Sequence, residues 1–316
     1  MKKGYINIDL KLVGSLCNLN CKYCYEHDLY GNHDTGKIDV NDIISYIDSL
    51  IKEYSKISIT LHGGEPLLYR KEDMKKLLMH YKENKNINIG IQTNGLLIDQ
   101  EWIDIFKNYS SNFLFSVSID SKESLSREMN NEKLFNILKL IKQNGLQIGV
   151  LSLISKENIN IDKFIYFINF LVDNIKVDFL TINKIRLNKN NLINSNENYI
   201  TELDYTNFLI DIFKYWIDKE LYKKIKINPF LDIFQNKKGC SYNNDLQKCK
   251  YFITIYPPFK FKGCDHEIGQ SENISNCLKC DILNFCGGGC HYNFRDETFC
   301  EARFLLYSFI QEFSKK

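Results

Sequence analysis

Cys17-Asn18-Leu19-Asn20-Cys21-Lys22-Tyr23-Cys24 spaces three cysteines as C-x3-C-x2-C. An iron–sulfur cube is held by four thiolates, so this stretch supplies one too few and leaves one iron without a protein ligand. In metal catalysis an open coordination position is where chemistry takes place. The competing reading of the bare motif is a structural zinc site with His27 as its fourth ligand. The residues around the motif decide how the stretch sits in the fold. It follows directly on Tyr5 to Leu12, which alternates as a strand, and it precedes a helical pattern over 39–54.

The same beat continues for about 180 residues. Strands are expected at 57–61, 87–91, 113–119, 147–154 and 177–182, with helices at 71–82, 99–106, 132–143 and 161–172. Six strands, each but the last followed by a helix, predict an α/β fold with a parallel sheet that is too short for a closed eight-stranded barrel. In barrel folds, functional groups sit on the loops after the C-terminal ends of the strands. The cysteine stretch occupies such a loop. So do Gly63-Gly64-Glu65-Pro66 after the second strand, Asn94 after the third, and Ser118 and Asp120 at the end of the fourth.

The spacing of the cysteines, with Tyr23 just before the last, resembles the signature of the radical S-adenosylmethionine (SAM) superfamily, and Gly63-Gly64-Glu65-Pro66 resembles its "GGEP" motif. This resemblance implies a partial (β/α)6 TIM-like barrel. It also implies a [4Fe–4S] cluster on Cys17, Cys21 and Cys24, with SAM chelating the fourth iron and, on reduction, yielding a 5′-deoxyadenosyl radical. It assigns SAM contacts to Tyr23, Gly63, Gly64, Glu65, Pro66, Asn94, Ser118 and Asp120. The family's usual Gly-Pro after the fourth strand is replaced by Ser121-Lys122, so its carboxylate-binding arginine has no clear counterpart; Arg127 is the candidate.

Eight further cysteines lie at 240, 249, 264, 277, 280, 286, 290 and 300. The run Cys277-x2-Cys280-x5-Cys286-x3-Cys290 resembles the core of the SPASM domain of peptide-modifying radical SAM enzymes. By that resemblance Cys240, Cys249, Cys264 and Cys290 hold one auxiliary [4Fe–4S] cluster, and Cys277, Cys280, Cys286 and Cys300 a second. Three clusters then use all eleven cysteines. Two four-thiolate zinc sites are the alternative for these eight. In anaerobic sulfatase-maturing enzymes an aspartate after the corresponding cysteine acts as base, which makes Asp265 the candidate general base. Tyr25, next to the cluster motif, is a candidate substrate contact.

The expected organisation is a radical SAM core over 1–200, a helical linker over 201–236 and a SPASM domain over 237–316 closed by a C-terminal helix at 304–313. The expected activity is oxidative modification of a peptide or protein side chain. The products considered are a thioether or carbon–carbon crosslink in a ribosomal peptide, or formylglycine as in sulfatase maturation. A flavodoxin or ferredoxin is the expected electron donor. Cys17 lies too near the start for the leader-binding domain of many ribosomal-peptide maturases, so a leader would be read elsewhere.

With 41 basic and 39 acidic residues among 316, the formal net charge is +2, and no global field recruits nucleic acid. No stretch reaches the ~18 apolar residues of a membrane span, and no signal peptide is evident. A cytoplasmic location is expected, where eleven cysteines favour metal binding over disulfides. A non-catalytic iron–sulfur or zinc-binding module is the reading from another functional class.

Overall fold

The computed structural model describes residues 2–26, 36–122, 127, 131–185, 198–235, 252–264, 277, 279–289 and 295–313. They divide into two compact units, the first formed by 1–119, 126–150 and 249–265, and the second by 120–125, 151–248 and 266–316.

The first unit is a parallel sheet backed by helices. Strand β1 (Lys3–Lys11) pairs in parallel with β2 (Tyr54–His62), β2 with β3 (Ile87–Thr93), and β3 with β4 (Leu114–Ser118). The register lines Ile8 up with Ile59 and Ile89, and Leu10 with Leu61, Ile91 and Phe115. Because side chains alternate along a strand, one face of the sheet becomes a ladder of buried Ile, Leu and Phe while the other carries Asn7, Asp9, Thr60, Gln92 and Ser116.

Three helices of this unit present apolar stripes at helical spacing. Helix α1 (Val40–Glu53) buries Val40, Ile43, Ile47 and Leu50, and Asp39 caps it by accepting the Asn41 N–H. Helix α2 (Lys71–Tyr81) buries Met74, Leu77 and Leu78, while α3 (Gln100–Tyr109) buries Trp102, Ile103 and Phe106. Phe106 packs 4.5 Å from Phe113 and 5.1 Å from Phe115 of β4, centroid to centroid. Helix α4 (Asn131–Gln143) and the start of β5 (Gln147–Ile154) complete the series.

The six expected strands are all present, and three more join them. Strand β6 (Phe179–Lys184) pairs in parallel with a short β7 (Lys226–Asn228) in the second unit. In the first unit, β8 (Phe252–Tyr256) lies parallel to β1 on the side away from β2, and turns back antiparallel into β9 (Lys260–Lys262). The six expected strands covered residues 5–182, and the three further strands among the described residues all lie beyond them. The extra strands are only three to five residues long, too short for alternation to register.

In the second unit, α5 (Ile161–Phe170) runs on through one π turn, Leu171–Ile175, to a left-handed Lys176. Helix α6 (Glu202–Asp218) opens with a Thr201/Asp204 capping box and buries Tyr205, Phe208, Leu209, Ile212, Phe213 and Trp216. This helix falls in the segment expected as a linker, and its apolar face is fully used. After α7 (Phe230–Phe234) and α8 (Leu283–Cys286), helix α9 (Phe299–Phe313) packs on α6, with Phe213 meeting Phe309 and Phe313 at 5.5 and 4.9 Å. Among the described residues no helix is long and apolar enough to cross a membrane.

Candidate active site

The loop after β1 is wound tightly before it reaches its cysteines. Gly14, at φ +62°, donates to the Lys11 carbonyl, Leu16 donates to that of Val13, and Cys24 donates to that of Cys21. Cys17, Cys21 and Cys24 are half-buried thiols. Burial pushes the Cys17 thiol up, which the Leu19 N–H at 3.4 Å and the Asn94 amide at 3.8 Å counter by donating to Sγ. N–H donors to sulfur are what a cluster thiolate uses to set its charge and potential.

Gly63 and Gly64 lie against this loop. The Gly64 N–H donates to the Gly14 carbonyl at 2.7 Å, and the Glu65 N–H to the Leu16 carbonyl at 2.8 Å. A Cβ on Gly64 would stand 2.1 Å from the Leu16 oxygen, and one on Gly63 (φ +111°) would stand 2.7 Å from that of Gly14. Only bare backbone fits at both positions. Glu65 is fully buried and bonds to the Leu67 N–H, the Thr93 hydroxyl at 2.6 Å and the Asn94 N–H at 2.8 Å. Pro66 begins the single 3-10 turn that Glu65 caps. The Asn94 amide then reaches back to Asn18 at 2.7 Å and to Cys17. Three motifs far apart in sequence thus close on one loop.

A pair of residues absent from the sequence expectations reinforces it. Lys11, at the end of β1, and Glu26, two residues past Cys24, form a 2.7 Å ion pair with side chains 1% and 3% exposed. The Tyr25 ring lies 5.4 Å from the same ammonium. Lys11 continues the polar alternation of Asn7 and Asp9, so the sequence carried no signal that it would be buried. Tyr23 is covered by the Arg127 guanidinium at 5.6 Å, and Arg127 is itself buried and lends its charge to the Glu65 carboxylate.

The remaining expected residues are placed as follows. Ser118 is buried at the end of β4, and Asp120 is buried with its carboxylate accepting the Leu153 N–H of β5. Cys264 is half-buried just beyond β9, and Cys277, Cys280, Cys286 and Cys300 are in the second unit. Cys277 and Cys286 are near enough for their charges to interact, around a turn in which Gly287, Gly288 and Gly289 all have positive φ. His27, Cys240, Cys249, Asp265 and Cys290 lie outside the described residues.

Among the described residues no three His, Cys, Asp or Glu side chains converge on a single point as one metal ion requires. A cube asks for a different arrangement, because each thiolate caps its own iron and the ligands ring a volume. The donor set at Cys17, Cys21 and Cys24, softened by N–H bonds and bordered by glycine backbone, fits such a group. A cavity of about 660 Å³ opens mainly at the N-terminal ends of β3 and β4, where Lys82, Asn84, Lys85, Tyr109, Ser110 and Asn112 line it, and it reaches Thr60, Gln92 and Ser116; no residue of the cysteine loop lines it.

The model of the Radical SAM superfamily matches residues 12–171. The chain belongs to the radical SAM superfamily. Membership makes it an enzyme, and implies SAM and a [4Fe–4S] cluster. Among radical SAM relatives, the cyclopropyl synthase TigE of Paramaledivibacter caminithermalis is 26% identical over 88% of this chain and 66% of its own length. A serine-type anaerobic sulfatase-maturating enzyme of Bacteroides thetaiotaomicron is 25% identical over 90% of this chain and 82% of its own. The chain thus spans about two thirds of the first relative and most of the second. Among solved structures, the enzyme anSMEcpe with bound AdoMet and the Cp18Cys peptide superposes with a TM-score of 0.78 at 19% identity, covering 98% of this chain and 97% of that one. The α/β class expected from the strand pattern, and the partial barrel that the resemblance implies, agree with that fold.

Proposed function

We propose that this radical SAM enzyme oxidatively modifies a peptide side chain, as the maturase of a ribosomal peptide in which it forms a thioether or carbon–carbon crosslink. The observation that carries the reading is the closure of Gly63-Gly64-Glu65 and Asn94 on the loop of Cys17. SAM at the open iron supplies, once the cluster is reduced by a flavodoxin or ferredoxin, a carbon radical able to remove a hydrogen atom from the substrate.

The chain's own residues hold and orient. An iron-bound amino group of SAM would have only N–H bonds left to give, so the backbone carbonyls of the Gly63–Pro66 turn would receive them, the Gly64 and Glu65 N–H groups being spent on the cysteine loop. Arg127, held over the Tyr23 ring, would be the group to receive the carboxylate of SAM. The Glu65 carboxylate acts indirectly, fixing Asn94 against the loop, and Ser118, at the end of β4, and Asp120 are further candidate contacts. Tyr25, beside the cluster motif, offers a contact to the substrate. In this reading residues 237–316 form a SPASM domain with two auxiliary clusters, on the cysteine sets given above, and Asp265 is the base.

Sulfatase maturation is the second reading, favoured by the similarity to the Bacteroides enzyme over most of its length. Anaerobic reconstitution tests both. About twelve irons per chain and SAM-dependent release of 5′-deoxyadenosine are expected. A crosslinked peptide loses two hydrogens and gives no aldehyde, whereas formylglycine reacts with a hydrazine probe. Bound zinc without SAM cleavage would end the proposal.

A further inference from the structure

The cysteine loop begins and ends on one side chain's residue. Lys11, the last residue of β1, accepts the Gly14 N–H at its carbonyl at 3.1 Å, and through Nζ it reaches the Glu26 carboxylate, 15 residues further on, at 2.7 Å. Cys17, Cys21 and Cys24 all lie on the chain between these two contacts. The base of the Lys11 side chain lies against the glycine turn, since a Cβ on Gly63 would stand 3.1 Å from the Lys11 Cβ. Its ammonium also lies 5.4 Å from the centre of the Tyr25 ring.

The two halves of the loop are tied differently. Residues 14–16 are held by backbone, through the carbonyls of Gly14 and Leu16 that receive the Gly64 and Glu65 N–H groups. Residues 23–26 are held through side chains, Tyr23 against the Arg127 guanidinium and Glu26 against Lys11. The Lys11 and Glu26 side chains are almost fully enclosed, and that enclosure decides what kind of tie they make. Taking two ions out of water costs about as much as their attraction returns, so an apolar pair of similar volume would hold the loop as well or better. The difference appears on opening. Separated ions regain their water, whereas separated apolar side chains expose surface that water disfavours. An ion pair at this position therefore closes the loop and still lets it part.

We propose that Lys11 and Glu26 are positioning residues that form a clasp: paired, they hold the Cys24 end of the loop to the strand it left, and parted, they open the loop for its cluster to enter. This rests on the iron–sulfur reading of Cys17, Cys21 and Cys24. Entry by ligand exchange needs no redox step. For each of the three cysteines, one Fe–S bond to a small thiolate on a preformed cube breaks, one Fe–S bond to the loop sulfur forms, and the proton of the loop thiol leaves on the small thiol.

Two measurements on the full-length chain test this. Hydrogen exchange over residues 12–26 in metal-free protein reads opening. Anaerobic mixing of that protein with a [4Fe–4S] cube ligated by mercaptoethanol reads entry, with the iron taken up by Cys17→Ala subtracted. Lys11→Met with Glu26→Leu, which closes the junction by apolar contact, is expected to exchange and to load the loop about tenfold more slowly than the parent. Glu26→Gln strands the ammonium and is expected to exchange about tenfold faster. A purely structural role for the pair gives no slowing in the double variant. Exchange or loading at the parent's rate in that variant would overturn the inference, as would parent-like exchange in Glu26→Gln. If Glu26→Gln fails to fold, the double variant decides alone. A parent that takes up no more iron than Cys17→Ala would remove the cluster reading instead, and exchange in the metal-free chain would still judge the clasp.

Discussion

Replacing Gly64 by alanine should undock the cysteine loop while leaving the sheet intact. The Cβ would start 2.1 Å from the Leu16 oxygen and 2.5 Å from the Leu16 carbonyl carbon. Relief to 3.0 Å or more requires a displacement of about 1 Å. That displacement stretches the 2.7 and 2.8 Å bonds from Gly64 and Glu65 to Gly14 and Leu16 beyond hydrogen-bonding range. Two such bonds contribute about 1 kcal/mol each, and overpacking costs about 1–3 kcal/mol. The sum, about 3–5 kcal/mol, lowers the equilibrium constant for docking the loop by roughly 10²- to 10⁴-fold. Hydrogen exchange over residues 14–24 reads this directly. Gly4→Ala is the comparison, because a Cβ there meets nothing within 4 Å. Equal protection of the loop in the Gly64 and Gly4 variants, with equal iron content, would refute the steric argument.

Other perturbations probe separate features. Lys11→Met should cost about 3–5 kcal/mol in urea unfolding, since it strands the Glu26 carboxylate in the core, and Lys11→Met with Glu26→Leu should recover much of the loss; no recovery would mean the pair is not coupled. Cys17→Ala should remove about four irons per chain and abolish SAM cleavage, with auxiliary iron retained. Burial alone would raise the Asp296 carboxyl, but hydrogen bonds from Thr298, Tyr199 and the Glu202 N–H, together with the Lys184 charge, outweigh it and hold it below its ordinary value of 3.8. Its folded pKa being depressed, the stability it contributes is complete above that value and lost as pH falls through the folded pKa. Urea unfolding measured from pH 5 to 2.5 should therefore show a steeper acid loss in the parent than in Asp296→Asn, and parallel curves would count against it.

Much of the first unit was legible because its pattern is local. Ile57, Ile59 and Leu61 alternate, Ile87, Ile89 and Ile91 repeat the pattern, and the register sets the two ladders side by side. The motif residues were legible for a related reason, since each follows a strand directly and the parallel sheet brings strand ends together. What joins them was not. The Lys11–Glu26 pair has no periodic signature, and the partners of the Glu65 carboxylate, Thr93 and two backbone amides, also had no sequence signal. Strands β7 to β9 escaped notice because runs such as Lys260-Phe261-Lys262 carry no distinguishing alternation. Likewise the role of Asp296, shared by Tyr199, Glu202, Thr298 and Lys184, depends on partners up to 112 residues away.

The parallel pairing of β8 with β1 has a consequence for synthesis. Ile8 waits for Ile253, about 245 residues later in the chain, which at ~5–20 residues per second is a delay of roughly 12–50 s. Throughout that interval the strand leading to the cysteine loop has one edge unsatisfied, and open edges invite pairing with other chains. Iron delivered early would meet the loop on a sheet lacking its outer strands. The order of translation therefore favours loading the cluster late, once the cysteine-rich end of the chain has emerged and supplied the strand that finishes the sheet begun at its start.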